Sequence, residues 1–148
     1  MLRDADLQDM RFLRDMLRHA YHWRMAQDPD LPVFRYVQNW GRRGDSGVVA
    51  FDGPNIYGAA WYRLFPEAAP GFGFVDEETP ELTVAVVPSH RGHGTGGELL
   101  EALLERARAD GFARVSLSAE PGQTGFYEKH GFRELRREDR TVTMVADL

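Results

Sequence analysis

The chain has 148 residues, 43% hydrophobic and 28% charged, with a net charge of -5 and no cysteine. That length suits one domain with a real core. The negative balance argues against nucleic acid held by a general basic field, and the missing thiols exclude disulfides, zinc–thiolate sites and cysteine nucleophiles.

No apolar run approaches the roughly 18 residues of a membrane span. The first residues, MLRDADLQDM, lack an apolar signal core. A soluble cytoplasmic protein without membrane or nucleic-acid partners is therefore expected. Residues 3–20 carry helical periodicity through Leu7, Met10, Leu13, Met16, Leu17 and Ala20, with Asp4 or Asp6 able to cap the start. Any strand ahead of that helix must be short. Breaks at Pro29 and Pro32 lead to a second short helix over residues 33–40, closed by Gly41. Residues 47–51 and 56–65 read as paired strands around the Asp52-Gly53-Pro54-Asn55 turn, and Gly58 predicts a bulge or a close backbone approach. A loop over 66–73 and an acidic run over 75–79 follow. Residues 82–87 are almost continuously apolar, the mark of a central strand covered on both faces. A helix then runs to about Asp110, with Leu99, Leu100, Leu103, Leu104 and Ala107 on one face and Gly111 just past its end. Residues 113–118 form the next strand, which a right-handed crossover makes parallel to the central one. A short helix over 123–130 and a hairpin of residues 132–137 and 141–145 complete the chain.

The most informative stretch is residues 81–100, ELTVAVVPSHRGHGTGGELL. A strand that stops at a glycine-rich loop and restarts as a helix is an anion site, because converging backbone N–H groups add to the positive helix end. A P-loop is excluded, since no lysine follows the glycines. The dinucleotide fingerprint G-x-G-x-x-G is met literally by Gly92, Gly94 and Gly97, with Glu120 at a fitting distance. Two features oppose it. Pro88, Ser89, His90 and Arg91 separate the glycines from the strand, and too few residues follow Gly97 for a doubly wound nucleotide half-domain. A nicotinamide enzyme is rejected on this ground.

Arg91-Gly92-His93-Gly94-Thr95-Gly96 fits the R/Q-x-x-G-x-G/A loop of acyl-CoA-dependent N-acyltransferases. Residues 125–132, GFYEKHGF, fit the short tyrosine-bearing helix that is followed by Gly-Phe. With both blocks in this order and spacing, the sequence resembles the GNAT acetyltransferase superfamily over nearly the whole chain, most strongly from Pro80 onward.

The resemblance implies an α/β (α+β) fold in one domain, residues 1–148. It implies a mixed, mostly antiparallel sheet of six or seven strands, helices on both faces and one splayed parallel pair. Acetyl-CoA is the implied cosubstrate, with no metal. Backbone groups of Val84, Ala85 and Val86 would hold its pantetheine arm. Amides of Gly92, His93, Gly94, Thr95, Gly96 and Gly97 would hold the pyrophosphate, with Arg91 adding charge and Gly97 alternatively serving helix packing. Tyr127 is the implied general acid: a phenol with an ordinary pKa near 10 is protonated at neutral pH and can donate to sulfur. Glu81 is a candidate general base, or a strand-end carboxylate pairing with a neighbour. Glu120 stands where many relatives have asparagine, as an alternative base, an ammonium contact or neither.

Trp23, Trp61, Tyr62, Phe72 and Phe74 offer walls for an acceptor pocket, or core packing, and Asp76, Glu77 and Glu78 offer negative charge to an ammonium group. The expected reaction is direct attack of a primary amine, on a small molecule or a peptide, upon the thioester. A homodimer is compatible with the resemblance. A non-catalytic acyl-CoA-binding sensor is the alternative.

Overall fold

The computed structural model describes residues 1–25, 33–138 and 141–148, with the side chains of residues 22–25 outside the description. Its strands are β1 (Leu2–Asp4), β2 (Ser46–Asp52), β3 (Asn55–Arg63), β4 (Glu81–Val86), β5 (Arg114–Ala119), β6 (Arg133–Glu138) and β7 (Thr141–Asp147). Its α-helices are α1 (Met10–Met25), α2 (Thr95–Ala109) and α3 (Thr124–Glu128). The seven strands make one sheet in the order β1-β2-β3-β4-β5-β7-β6. Neighbours pair antiparallel except β4 and β5, which run parallel. This is the mixed, mostly antiparallel α/β architecture expected from the sequence.

The central strand is buried from both sides because its alternate residues serve two cores. Leu82 packs with Leu99, Leu100, Leu103 and Leu104 of α2 and with Val115 and Leu117 of β5. Ala85 packs with Leu13, Met16 and Leu17 of α1 and with Ala59 and Trp61 of β3. Each fully buried leucine contributes about 1.5–3 kcal/mol. α2 closes at Gly111, where Phe112 N–H bonds Ala107 O and Gly111 N–H bonds Arg108 O, the paired bonds of a Schellman end.

Two expected boundaries move. Residues 3 and 4 are strand, not helix, because Arg3 and Asp4 pair with Val49 and Val48 of β2. A capping box then forms one turn later: Gln8 N–H donates to Asp6, Asp6 N–H donates to Asp9, and Arg3 bonds Asp9 with two contacts of 2.9 Å. The helix expected over 33–40 is only a 3₁₀ turn, Val33–Tyr36, and the chain reverses at Asn39, whose φ is 56°.

Gly58 serves both readings made of it. Ala50 faces Gly58 while Phe51 faces Ile56, so Tyr57 is the extra residue of a bulge. A Cβ on Gly58 would also sit 3.0 Å from Leu99 Cδ1. The bulged Tyr57 has a positional consequence. Its carbonyl accepts Val87 N–H at 2.9 Å, and its ring stacks on His90 at 4.4 Å. It thereby anchors the turn that leads from β4 into the glycine loop.

Candidate active site

The parallel pair is joined at one register position, Glu81 opposite Ser116, next to a bond from Ser116 N–H to Pro80 O at 3.0 Å. Past that point the partners differ. β4 stays paired with β3 out to Val86 opposite Gly58, and β5 stays paired with β7 out to Ala119 opposite Val142. The β4 edge at Val84 and Ala85 therefore faces a cleft of ≈ 240 Å³. Its other walls are Ser118, Ala119 and Glu120 at the end of β5, Gln123 and Tyr127 beside and within α3, Arg91, and His19 with Ala20 of α1.

The glycine loop lies at the end of β4. A 3₁₀ turn, Pro88–His90, delivers Arg91, whose Nε donates to Val86 O at 3.1 Å. The α2 helix starts with no side-chain cap, and Gly94 occupies the cap position at φ 81°. The amides of residues 95–97 at its first turn have no intrahelical acceptor. Gly92 also has positive φ, and neither it nor Gly94 has any atom within 4 Å of a would-be Cβ, so the approach to these amides is clear. Gly96 lies beside Phe126, and Gly97 beside His130, whose Nδ1 pairs with Glu101 at 2.5 Å. Gly97 thus sits where the helix packs against the α3 region. His93 is exposed.

Tyr127 is half-buried, edge-on to Phe126 at 5.0 Å and to Phe132 at 5.9 Å. Burial pushes its phenol up to about 12. Glu120 is half-buried at the cleft wall. Glu81 is in a different situation. It is 1% exposed and does not line the cleft. Tyr36 OH donates to Glu81 Oε2, and Phe72 N–H donates to Tyr36 OH at 2.7 Å. Burial, then the neighbouring Glu81 charge, holds Tyr36 well above the usual phenol range. Tyr21 is also held above that range by burial, with its hydroxyl 3.1 Å from Thr83 Oγ1.

The acceptor-pocket expectations need correction. Trp61 is 1% exposed and donates its indole N–H to Tyr36 O, so it is core on the α1 side. Tyr62, the next residue on the strand, necessarily faces the other way. It is 0% exposed beneath α2, bonded to Asp110 and edge-on to Phe112. Glu78 lies at the other end of the parallel pair, in a groove with Arg43, Asp110 and Ala113. Its neighbour Asp76 is paired with Arg114 at 2.5 Å, and Glu77 accepts Glu67 N–H. Phe72 packs on Tyr21 and Tyr36, and Phe74 offers its carbonyl to Arg136. The Trp23 side chain lies outside the described residues. Cleft residues that sequence reasoning did not single out are His19, Ala20, Ser118, Ala119 and Gln123; of these, Ser118 left a readable trace in the alternation of Ser116 and Ser118 with apolar residues along β5.

A sheet split at its parallel pair, beside a glycine-capped helix and a half-buried phenol, has the form of an acyltransferase site. The model of the acetyltransferase (GNAT) family matches residues 10–132, and the chain belongs to that family. It is an enzyme of the N-acetyltransferase class, and acetyl-CoA is the family's acyl donor. The uncharacterized N-acetyltransferase YjcF of Bacillus subtilis (strain 168) is 34% identical over 129 residues, 84% of each chain. The structure of yncA from Salmonella typhimurium, with its cofactor acetyl-CoA, superposes with a TM-score of 0.74 at 21% identity, covering 100% of this chain and 93% of that one. A phosphinothricin acetyltransferase from Sinorhizobium meliloti, in complex with acetyl-CoA, gives 0.69 at 23% identity, covering 100% and 88%. At these identities the two structures speak for the fold alone.

Proposed function

We propose that residues 1–148 act as one acetyltransferase domain that moves an acetyl group from acetyl-CoA to a primary amine of a small molecule or peptide. One observation carries the reading. A phenol kept protonated by burial, Tyr127, lines the same cleft as the unpaired β4 edge and the Glu120 carboxyl.

The residues present fit the cosubstrate. Two phosphates require several convergent donors, and the amides of residues 92–97 supply them at a loop whose approach is not filled by side chains. Arg91 adds positive charge at the loop mouth. Backbone groups of Val84 and Ala85 on the cleft side of β4 would hold the pantetheine. Val86 would contribute less through its carbonyl, which already accepts from Arg91. When bound, acetyl-CoA supplies a thioester carbonyl open to an amine.

The chain's own work is then proton handling and positioning. Tyr127 gives its proton to the departing sulfur, and the N–H proton that the new amide sheds restores the phenol. The ammonium proton goes to Glu120 from within the cleft, to Glu81 from behind it, or to water. The test is Tyr127→Phe. Turnover should fall far more than coenzyme A affinity. Equal turnover in the two proteins would remove Tyr127 from the chemistry.

A further inference from the structure

A one-turn helix does not hold its own direction. α3 spans only Thr124–Glu128, and a helix that short depends on tertiary contacts for its existence. It nevertheless carries Tyr127, the proposed acid. The Tyr127 hydroxyl is not the anchor: burial raises the phenol, and no hydrogen bond adds to it. The aim of the ring therefore comes from how α3 and the turn behind it are seated.

The seat has two ends. At one end the chain reverses at Gly131, whose φ is 91°. His130 N–H and Phe132 N–H both bond Tyr127 O, at 2.9 and 3.2 Å. Phe132 is buried in the core under α2 and meets the Tyr127 ring at 5.9 Å. At the other end the segment lies against the first turns of α2. Phe126 Cζ is 3.5 Å from where a Cβ of Gly96 would stand, and His130 Nε2 is 3.5 Å from the same point on Gly97. The Phe126 ring is edge-on to Tyr127 at 5.0 Å and to His130 at 5.2 Å. His130 Nδ1 lies 2.5 Å from Glu101 Oε1. Gly97 and Glu101 are four residues apart on one helix face, so the imidazole spans one turn of α2. A carboxylate only accepts, so Nδ1 carries the hydrogen in either charge state of the ring. The aromatic contacts between α3 and α2 are non-directional. Among the described residues, the His130–Glu101 bond is the directional link between this segment and α2, and a bond to a carboxylate is of the stronger kind.

We propose that Glu101 and His130 are positioning residues, whose hydrogen bond fixes the Tyr127 hydroxyl relative to the phosphate-binding amides at the start of α2. The proposal rests on the acetyl-transfer reading above, with Tyr127 as the acid. The phosphates and the sulfur belong to one molecule. An acid aimed at the sulfur must therefore be placed relative to the amides that hold the phosphates. Gly96 and Gly97 serve both ends of that requirement: their N–H groups face the ligand site, and their flanks carry Phe126 and His130.

The test uses the full chain with Glu101→Ala and Glu101→Gln, each also made in the Tyr127→Phe background. Glu101 is exposed and alanine suits a helix, so the fold is kept, and thermal unfolding checks this. Glutamine keeps an accepting oxygen for His130 Nδ1–H. With acetyl-CoA and a panel amine that the wild type acetylates, kcat should fall roughly tenfold in Glu101→Ala, as for a misplaced reacting group, with the coenzyme A Kd within about twofold of the wild type. Glu101→Gln should recover most of kcat. In the Tyr127→Phe background Glu101→Ala should change kcat by less than about twofold, because the group it positions is already gone. Nuclear magnetic resonance of the free protein with ¹³C-labelled tyrosine reads the seat without turnover, the Tyr127 ring signal being assigned by its loss in Tyr127→Phe. That signal should shift and broaden in Glu101→Ala and return toward its wild-type position in Glu101→Gln. An unmoved Tyr127 signal, an unchanged kcat, or an equal loss of kcat in both backgrounds overturns the proposal. If the wild type acetylates no amine, the acetyl-transfer reading fails and the catalytic part of the proposal with it, while the resonance arm still decides whether the pair seats Tyr127.

Discussion

The proposed chemistry rests on Tyr127 and on one of two carboxylates, and each makes a separable prediction. Tyr127→Phe should lower kcat by about 10²-fold or more, the range of a lost general acid, with the coenzyme A Kd measured by calorimetry nearly unchanged. Burial pushes the phenol up to about 12, so it stays protonated through ordinary assay conditions. Any alkaline limb below about pH 11 must come from another group, and its survival in Tyr127→Phe checks this. The base question is decided by pH–rate profiles of Glu81→Gln and Glu120→Gln. The substitution that removes the acidic limb identifies the acceptor of the proton, and an unmoved limb in both variants would exclude both. The place of Tyr127 and Glu120 at the cleft was legible in the sequence, because each stands in or beside a local motif. The setting of Glu81 was not. A glutamate opening a strand reads as a rim residue, and only contacts 45 residues away at Tyr36, and at the Gly71 turn, make it a buried one.

At the scale of elements, the loop between β3 and β4 does more than connect. Gly73 lies against the β5 backbone at Leu117 and Ser118, where the atoms that a side chain would meet cannot swing aside. Gly73→Ala should cost about 1–3 kcal/mol as an overpacked site, read as a lower urea midpoint. Gly125→Ala, with nothing within 4 Å and no positive φ, should lie within about 0.5 kcal/mol of the wild type. The strands from β2 onward and the helix behind the glycines were readable because alternation, leucine periodicity and glycine punctuation are local signals. The acceptor walls were misread for the same reason. Composition marked Trp61 and Tyr62 as candidates, but adjacent strand residues face opposite ways, and here both faces are core. Residues 33–40 carry helix-like apolar spacing, yet Trp61 and Arg63 draw the backbone carbonyls of Arg35, Tyr36 and Gln38 out of any helical ladder.

For the whole molecule, titration sets two edges to stability. Tyr21, Tyr36, Tyr62 and Tyr127 all have phenols raised by burial. Below pH about 10 folded and unfolded chains both hold these protons; above it the unfolded chain releases them first, so stability is lost as pH rises toward the folded values. The melting temperature should fall steeply beyond pH about 10, and less steeply in Tyr127→Phe. At the acid edge, the Arg3 hydrogen bond holds Asp9 below the usual carboxylate range. Its contribution is present above pH about 4 and lost as pH falls, and Asp9→Asn should remove that part of the acid dependence.

Among the described residues no helix is long and apolar enough to cross a membrane. The decisive measurement remains chemical: thiol release from acetyl-CoA, followed against a panel of small-molecule and peptide primary amines, with the acetylated product identified by mass. Thiol and N-acetyl product should appear in equal amounts for at least one class of amine, and both should collapse in Tyr127→Phe. Tight acetyl-CoA binding with no thiol released across the panel would contradict catalysis in this cleft and leave an acyl-CoA sensor in its place.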